Sequence, residues 1–236
     1  MTQNSMPVEL YPAPRVEVRP LLRNVYLWMT LGLLLTTATA YLTTNYEPIR
    51  NLLSYPLVVF GAFIVQLVLV FALAAAVTRL SSQAATAIFL AYAALNGFTL
   101  SLLLMYYDAG TVTTAFLSTA ALFGAMTVVG LTTSMDLSKL GPILFMGLIG
   151  LLIALVINMF LRSSGFDLVI SIIGVVLFTA LTAYDTQKIV RMASDPKIQA
   201  EGGELLNKLS ILGALMLYLD FLNLFIYLLR LLGRSR

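Results

Sequence analysis

The sequence predicts an all-α integral membrane protein, a polytopic bundle of seven transmembrane helices, and three observations predict it. Of its 236 residues, 60% are hydrophobic and 11% charged, with a mean hydropathy of +0.94. Soluble domains are about 45–50% apolar and about 25% charged, so this chain has too few charges to coat a water-soluble globule. Apolar runs long enough to cross a bilayer recur along the chain; at 1.5 Å per residue a crossing needs about 20 residues. The basic residues, finally, stand at the ends of these runs. The net charge of +3 is therefore an orientation signal rather than a nucleic-acid patch, and no nucleic-acid partner is expected.

Residues 1–22 are polar and hold Pro7, Pro12, Pro14 and Pro20, the composition of a disordered tail, and residues 23–236 form the membrane domain. A secretory signal made of Arg23, the apolar run and Ala38-Thr39-Ala40 is the weaker reading. A charged, proline-rich leader precedes the run, and the run continues to full spanning length. The spans read as Val25–Leu42, Tyr55–Thr78, Ala84–Tyr106, Thr111–Thr132, Leu140–Leu161, Leu168–Tyr184 and Leu209–Leu232. Links are short except Thr186–Lys208, and no internal repeat or second domain is visible. Ala72, Ala74, Ala75 and Ala76 in the second span, with Gly147 and Gly150 in the fifth, predict closely packed interfaces. Glu204 and Lys208 form an i,i+4 pair in the favourable order where the last span begins.

Orientation follows from Lys and Arg. With the N-terminus inside and seven crossings, Arg15, Arg19, Arg23, Arg79, Lys139, Lys188, Arg191, Lys197 and Lys208 lie inside. Arg50, Arg162, Arg230, Arg234 and Arg236 lie outside. The bias favours a cytoplasmic N-terminus, although the three C-terminal arginines oppose it. A re-entrant last segment would return them inside; the length of the run favours a seventh crossing.

There is no Cys and no His, which removes disulfides, thiolate sites, the commonest metal ligand and the usual physiological pH switch. Proton chemistry must then run through carboxylates. Of eleven acids, Glu9 and Glu17 are in the tail, Glu47, Asp108, Asp136 and Asp167 in short links, and Asp195, Glu201 and Glu204 in the long one. Asp185 and Asp220 remain. Asp185 closes the sixth span in "FTALTAYDTQKIV", where a wet helix terminus would explain it as well as a functional role. Asp220 sits mid-span in "LYLDFLNLF", about three turns from either end. An acid there costs roughly 2.5–3.5 kcal/mol to insert, and such groups face a bundle interior or water cavity. Asp220, Asn223 and Tyr227 follow an i, i+3, i+7 stripe, and Tyr218 lies in the same helix. These, with Asn96, are candidates for a polar path; Gln66, Asn158 and Thr182 are further inward-facing polar groups. Arg79, ending the second span in "AAAVTRLSSQ", is an ordinary interface anchor by position, yet N-in topology puts it on the same side as Asp185.

Enzyme constellations are absent. HExxH needs histidines, no P-loop or Gly-x-Ser-x-Gly occurs, and Asp220 follows Leu219 rather than the glycine of an aspartyl intramembrane protease. No enzymatic activity is expected.

"AYDTQKI" at Ala183–Ile189, "LYLDFLNLFIYLLRLLG" at Leu217–Gly233 and "NGFTLS" at Asn96–Ser101 resemble the Bax inhibitor-1 family, the transmembrane Bax-inhibitor-motif proteins, over essentially all of the chain from Arg23. The bacterial branch fits best, which implies an inner (plasma) membrane location. The resemblance implies a last helix at the bundle's centre, wrapped by the other six, and a pH-sensitive calcium leak across the membrane. It implies that Asp185 and Asp220 form the pH-sensor pair and that Arg79 latches it. It also implies, as an alternative, a non-conducting protein that binds and modulates a membrane-bound protease. Two close carboxylates share a proton and titrate jointly. Calcium takes six to eight oxygens, so Asp185 and Asp220, helped by Tyr, Asn and water, predict weak, passing contact with a permeant ion; no tightly bound cofactor is expected.

Overall fold

The apolar periodicity becomes a helical bundle in the computed structural model, which describes residues 18–76, 79–196 and 203–234. Its elements are α1 (Val18–Asn45), the short α2 (Glu47–Leu52), α3 (Pro56–Ala76), α4 (Ser82–Leu104), α5 (Ala109–Thr132), a 3-10 turn (Leu137–Leu140), α6 (Gly141–Leu161), α7 (Ser164–Ala193) and α8 (Gly203–Gly233). Side-chain caps fix three of the starts. Ser81, Asp108 and Ser163 accept the backbone N–H groups of Ala84, Thr111 and Phe166, satisfying donors that the first turn leaves unpaired. Seven of these helices are long and apolar enough to cross a membrane.

Three boundaries differ from the hydropathy reading by well over one helical turn. Val18–Leu22, expected in the tail, form the first turn of α1, and the rest of that tail, 1–17, lies outside the described residues. α7 does not close at Asp185 but runs two turns further, because Thr186, Ile189 and Ala193 keep an i, i+3, i+7 buried stripe through a charged sequence. α8 likewise starts at Gly203, where Glu204 and Lys208 pair at 3.1 Å as their spacing predicts.

α8 occupies the centre and is buried along most of its length. Four helices, α1, α4, α5 and α7, pack around it. The expectation of six wrapping helices is corrected: α3 packs on α4 and α6 on α7, forming an outer layer that faces lipid. Only Ala62, Gln66 and Leu73 of α3, and Leu144 and Leu151 of α6, are buried. α7 and α8 run antiparallel. Gly213 lies against Ile189 near one end and Gly174 against the Tyr227 ring near the other. At that second end Arg230 and Arg234 pair with Asp167 of the first turn of α7, at 3.6 and 3.3 Å. The last helix therefore crosses the whole bundle and is not re-entrant.

The close contacts are not all where small residues cluster in the sequence. Gly150 has nothing within 4 Å of the position a side chain would take, and Ala74 and Ala75 are exposed. The tight crossing is at Gly97, where a methyl group would run into Thr39 and the Thr36 carbonyl of α1. Gly97→Ala should force α1 from α4 and cost about 1–3 kcal/mol, as overpacking does. Gly150→Ala should be neutral, and thermal unfolding of both variants in detergent distinguishes the sites.

Candidate functional site

The antiparallel register of α7 and α8 places Asp220 opposite the Thr182 turn, with Asp185 one turn further along α7. Asp220 is only 4% exposed, and its Oδ2 has no hydrogen-bond partner among the described residues. Asp185 is half-buried. The two carboxylates lie within electrostatic range of one another and of the exposed Lys188, and among the described residues neither acid forms an ion pair. Lys188 lies one turn beyond Asp185 on the same helix, so the i, i+3 spacing turns both toward one region. Thr186, beside Asp185, is fully buried, its hydroxyl has no partner among the described residues, and Gly130 of α5 packs against it. The site is thus a wedge between α5, α7 and α8, with two acids, one cation and unspent polar atoms. Burying an unpaired polar group is costly, so each such group calls for a physical explanation.

The other sequence candidates are dispersed. Arg79 stands just past the end of α3, exposed, and among the described residues it makes no ion pair; the structure does not bring it to the acids. Asn96 and Asn223 line one cavity of about 400 Å³ between α3, α4 and α8, with Gln66, Thr99 and Arg230, each amide donating to a carbonyl of its own helix. Gln66 donates to the Thr99 hydroxyl at 2.8 Å across the α3–α4 interface. Tyr218 is on another face of α8, fully buried, sharing a 2.7 Å hydrogen bond with Thr36. Tyr227 stacks on Phe178, with Arg230 over its ring. The stripe Asp220–Asn223–Tyr227 is therefore divided between two neighbours and is not one continuous path. Asn158 accepts from the Ser163 N–H at the end of α6, and Thr182 donates back to Phe178 within α7; neither bridges helices.

Sequence reasoning missed Lys188 and a clamp beside it. The Gln187 amide accepts from the Leu137 N–H at 2.9 Å and donates to the Met135 carbonyl at 2.8 Å. Arg191 donates to Asp136 and, at 2.6 Å, to Gln187. The link after α5 is thereby held to the segment of α7 that carries Asp185. Hydrogen bonds from Ser138, then the Arg191 guanidinium, hold the Asp136 carboxyl well below the usual carboxylate range. The available signal was the acid in "SMDLSKLG" together with "DTQKIVR", but pairing them requires the fold.

Two carboxylates are what the wedge offers a cation. No group of three or more acidic side chains gathers among the described residues.

The profile of the family described as "Inhibitor of apoptosis-promoting Bax1" matches residues 18–236. A protein of Borreliella burgdorferi is 45% identical over 91% of this chain and 92% of its own. The "Inner membrane protein YbhL" of Escherichia coli K12 is 43% identical over 94% of this chain and 95% of its own. A Deinococcus radiodurans protein is 43% identical over 93% and 92%.

The clamp has a defined acid limit. Because the folded Asp136 carboxyl lies below its ordinary value of about 3.9, its stabilising contribution is present at all pH above that value and is lost as pH falls below it. Parent and Asp136→Asn should therefore differ in melting temperature by the same margin at mildly acidic and at alkaline pH, and converge only in strong acid. A margin that shrank near neutrality would contradict the clamp.

Proposed function

The chain belongs to the Bax inhibitor-1 family, and we propose that it is a pH-sensitive calcium leak channel of the bacterial inner membrane, gated by protonation of the Asp185–Asp220 pair. One observation carries the reading: a carboxylate oxygen of Asp220, buried at the middle of the central helix and without a partner among the described residues, is opposed by a second acid on the neighbouring helix. With both acids ionised, their repulsion is offset by Lys188 or by a passing cation. With one proton between them, α7 and α8 can hold together without either. The pair titrates as one unit, so one proton biases the packing of two helices. The resemblance assigns charge compensation to Arg79, as a latch; we assign it to Lys188, whose ammonium acts on both acids in this arrangement. Calcium is the permeant ion here, not a resident cofactor, because two carboxylates are far fewer than its six to eight oxygens. No catalytic step is assigned to the chain. The N-terminus is placed in the cytoplasm by the Lys and Arg bias.

Calcium flux into proteoliposomes tests this. The parent's flux should change across roughly pH 6–8, and in Asp185→Asn or Asp220→Asn the ratio between those limits should fall to about one, since a single carboxylate has no partner to share a proton with. Lys188→Met should alter the pH response more than Arg79→Met. If both Asn variants kept the parent's response, the pair would not be the sensor. A flux-dead variant that still bound a membrane protease with full cellular activity would favour the non-conducting alternative.

A further inference from the structure

A second hollow adjoins the first across Leu100 and Leu222, and neither acid lines it. It has a volume of about 670 Å³ and is bounded by α1, α4, α5 and α8. It exists because α1 and α5 both pack on α8 but not on each other. Its floor is Phe221, Leu222 and Phe225, its walls include Leu33 and Phe116, and Tyr41 and Tyr107 stand at one end.

Three features say what fills it. The first is chemistry. Threonines line it, yet Thr37, Thr44 and Thr113 each donate to a carbonyl of their own helix, and Thr36 bonds to Gly32, Ala93 and Tyr218. Their hydroxyl protons are spent, which leaves water only a few acceptor oxygens in a lining otherwise of Leu, Phe, Ala, Val and Met apart from the two tyrosines at its end, and an apolar occupant is favoured. The second is length. On α1 the lining runs from Leu33 to Thr44, about 16 Å at 1.5 Å per residue, which is half of a ~30 Å hydrocarbon core. The hollow is therefore one leaflet deep. The third is access. Its walls continue into the lipid-facing surface through Tyr41, Met105 and Phe116, 67%, 53% and 45% exposed, and the two tyrosines mark the end where headgroups lie.

We propose that this hollow is a binding groove for one acyl chain of a bilayer phospholipid, which lies against Phe221 and Phe225 of the central helix. The chain enters sideways between α1 and α5, its headgroup by Tyr41 and Tyr107. The occupied groove completes the enclosure of α8 that α1 and α5 leave open. Because Phe225 is 5% exposed, only a molecule inside the groove reaches it.

Fluorescence quenching tests this in vesicles of phosphatidylcholine brominated on its acyl chains. In a Trp28→Phe background, Phe225→Trp should lose as much emission as Leu117→Trp, which faces lipid at 61% exposure. Phe123→Trp, 6% exposed and outside the groove, should lose far less. Quenching of Phe225→Trp no greater than that of Phe123→Trp, or quenching by aqueous iodide instead, would overturn the proposal. A second measurement leaves the floor intact. Thr113→Phe, which plugs the groove from its exposed wall, should lose phospholipid that the parent retains in native mass spectrometry, and equal retention would count against the groove.

Discussion

A single acid in the middle of the central helix sets the terms for the rest of this structure. Asp220 is buried on the most enclosed helix of the bundle, and one of its oxygens has no partner among the described residues. Lipid offers nothing to solvate it, so the helix that carries it must be surrounded by protein. That requirement is met by α1, α4, α5 and α7, and it explains why α8 is central although α3 and α6 are more hydrophobic. The two most apolar spans are outermost because they alone can face lipid all round.

The neighbour that answers Asp220 is α7, and α7 has two tasks in one stretch. Asp185 and Lys188 act on Asp220, while Gln187 and Arg191 hold the link after α5. Asp185 and Gln187, two apart, point in different directions, whereas Lys188 shares a small hollow with Ser138, Gln187 and Arg191, so the cation beside the acids adjoins the clamp. The consequence is mechanical. A shift of α7 that changes the distance between the acids also pulls on the clamp, and the clamp stays ionised and bonded at any pH where the acids would titrate. The clamp is thus a fixed restraint on any such shift.

Much of this was legible in the sequence, and the failures have physical causes. The seven spans follow from hydropathy, since an apolar run of spanning length has few other uses. Asp220 announces itself through the cost of its position. Boundaries failed where burial persisted through charged sequence: "TQKIVRMA" keeps Thr186, Ile189 and Ala193 inward, a stripe that mean hydropathy averages away. Lys188 is exposed, as a lysine past a hydropathy-defined span should be, and only the continuation of α7 puts it one turn from Asp185 on the side of the acids. Arg79 was placed at the right end of the bundle by topology, and topology says nothing of lateral distance. Gly97 and Gly150 look alike in sequence; only the fold says which faces a helix and which faces lipid.

The two halves of α8 are held differently, and Asp220 lies at the boundary between them. Toward α7's C-terminal end, Gly213 is pressed by Val25 and Ile189, so α8 has no room to shift there. Beyond Asp220 the helix is flanked by hollows on two sides, one holding Asn96 and Asn223, the other lined by Phe221 and Phe225. Its far end is tied again by Asp167 to Arg230 and Arg234. A helix fixed at both ends and loosely flanked in between can bow or rotate only in its middle. A close-packed interior resists small continuous adjustment, so looseness has to be built in where movement is needed. Repulsion or proton sharing at Asp220 would thus be absorbed in the gapped half, whose contents, polar groups on one side and apolar on the other, set how far the central helix can give.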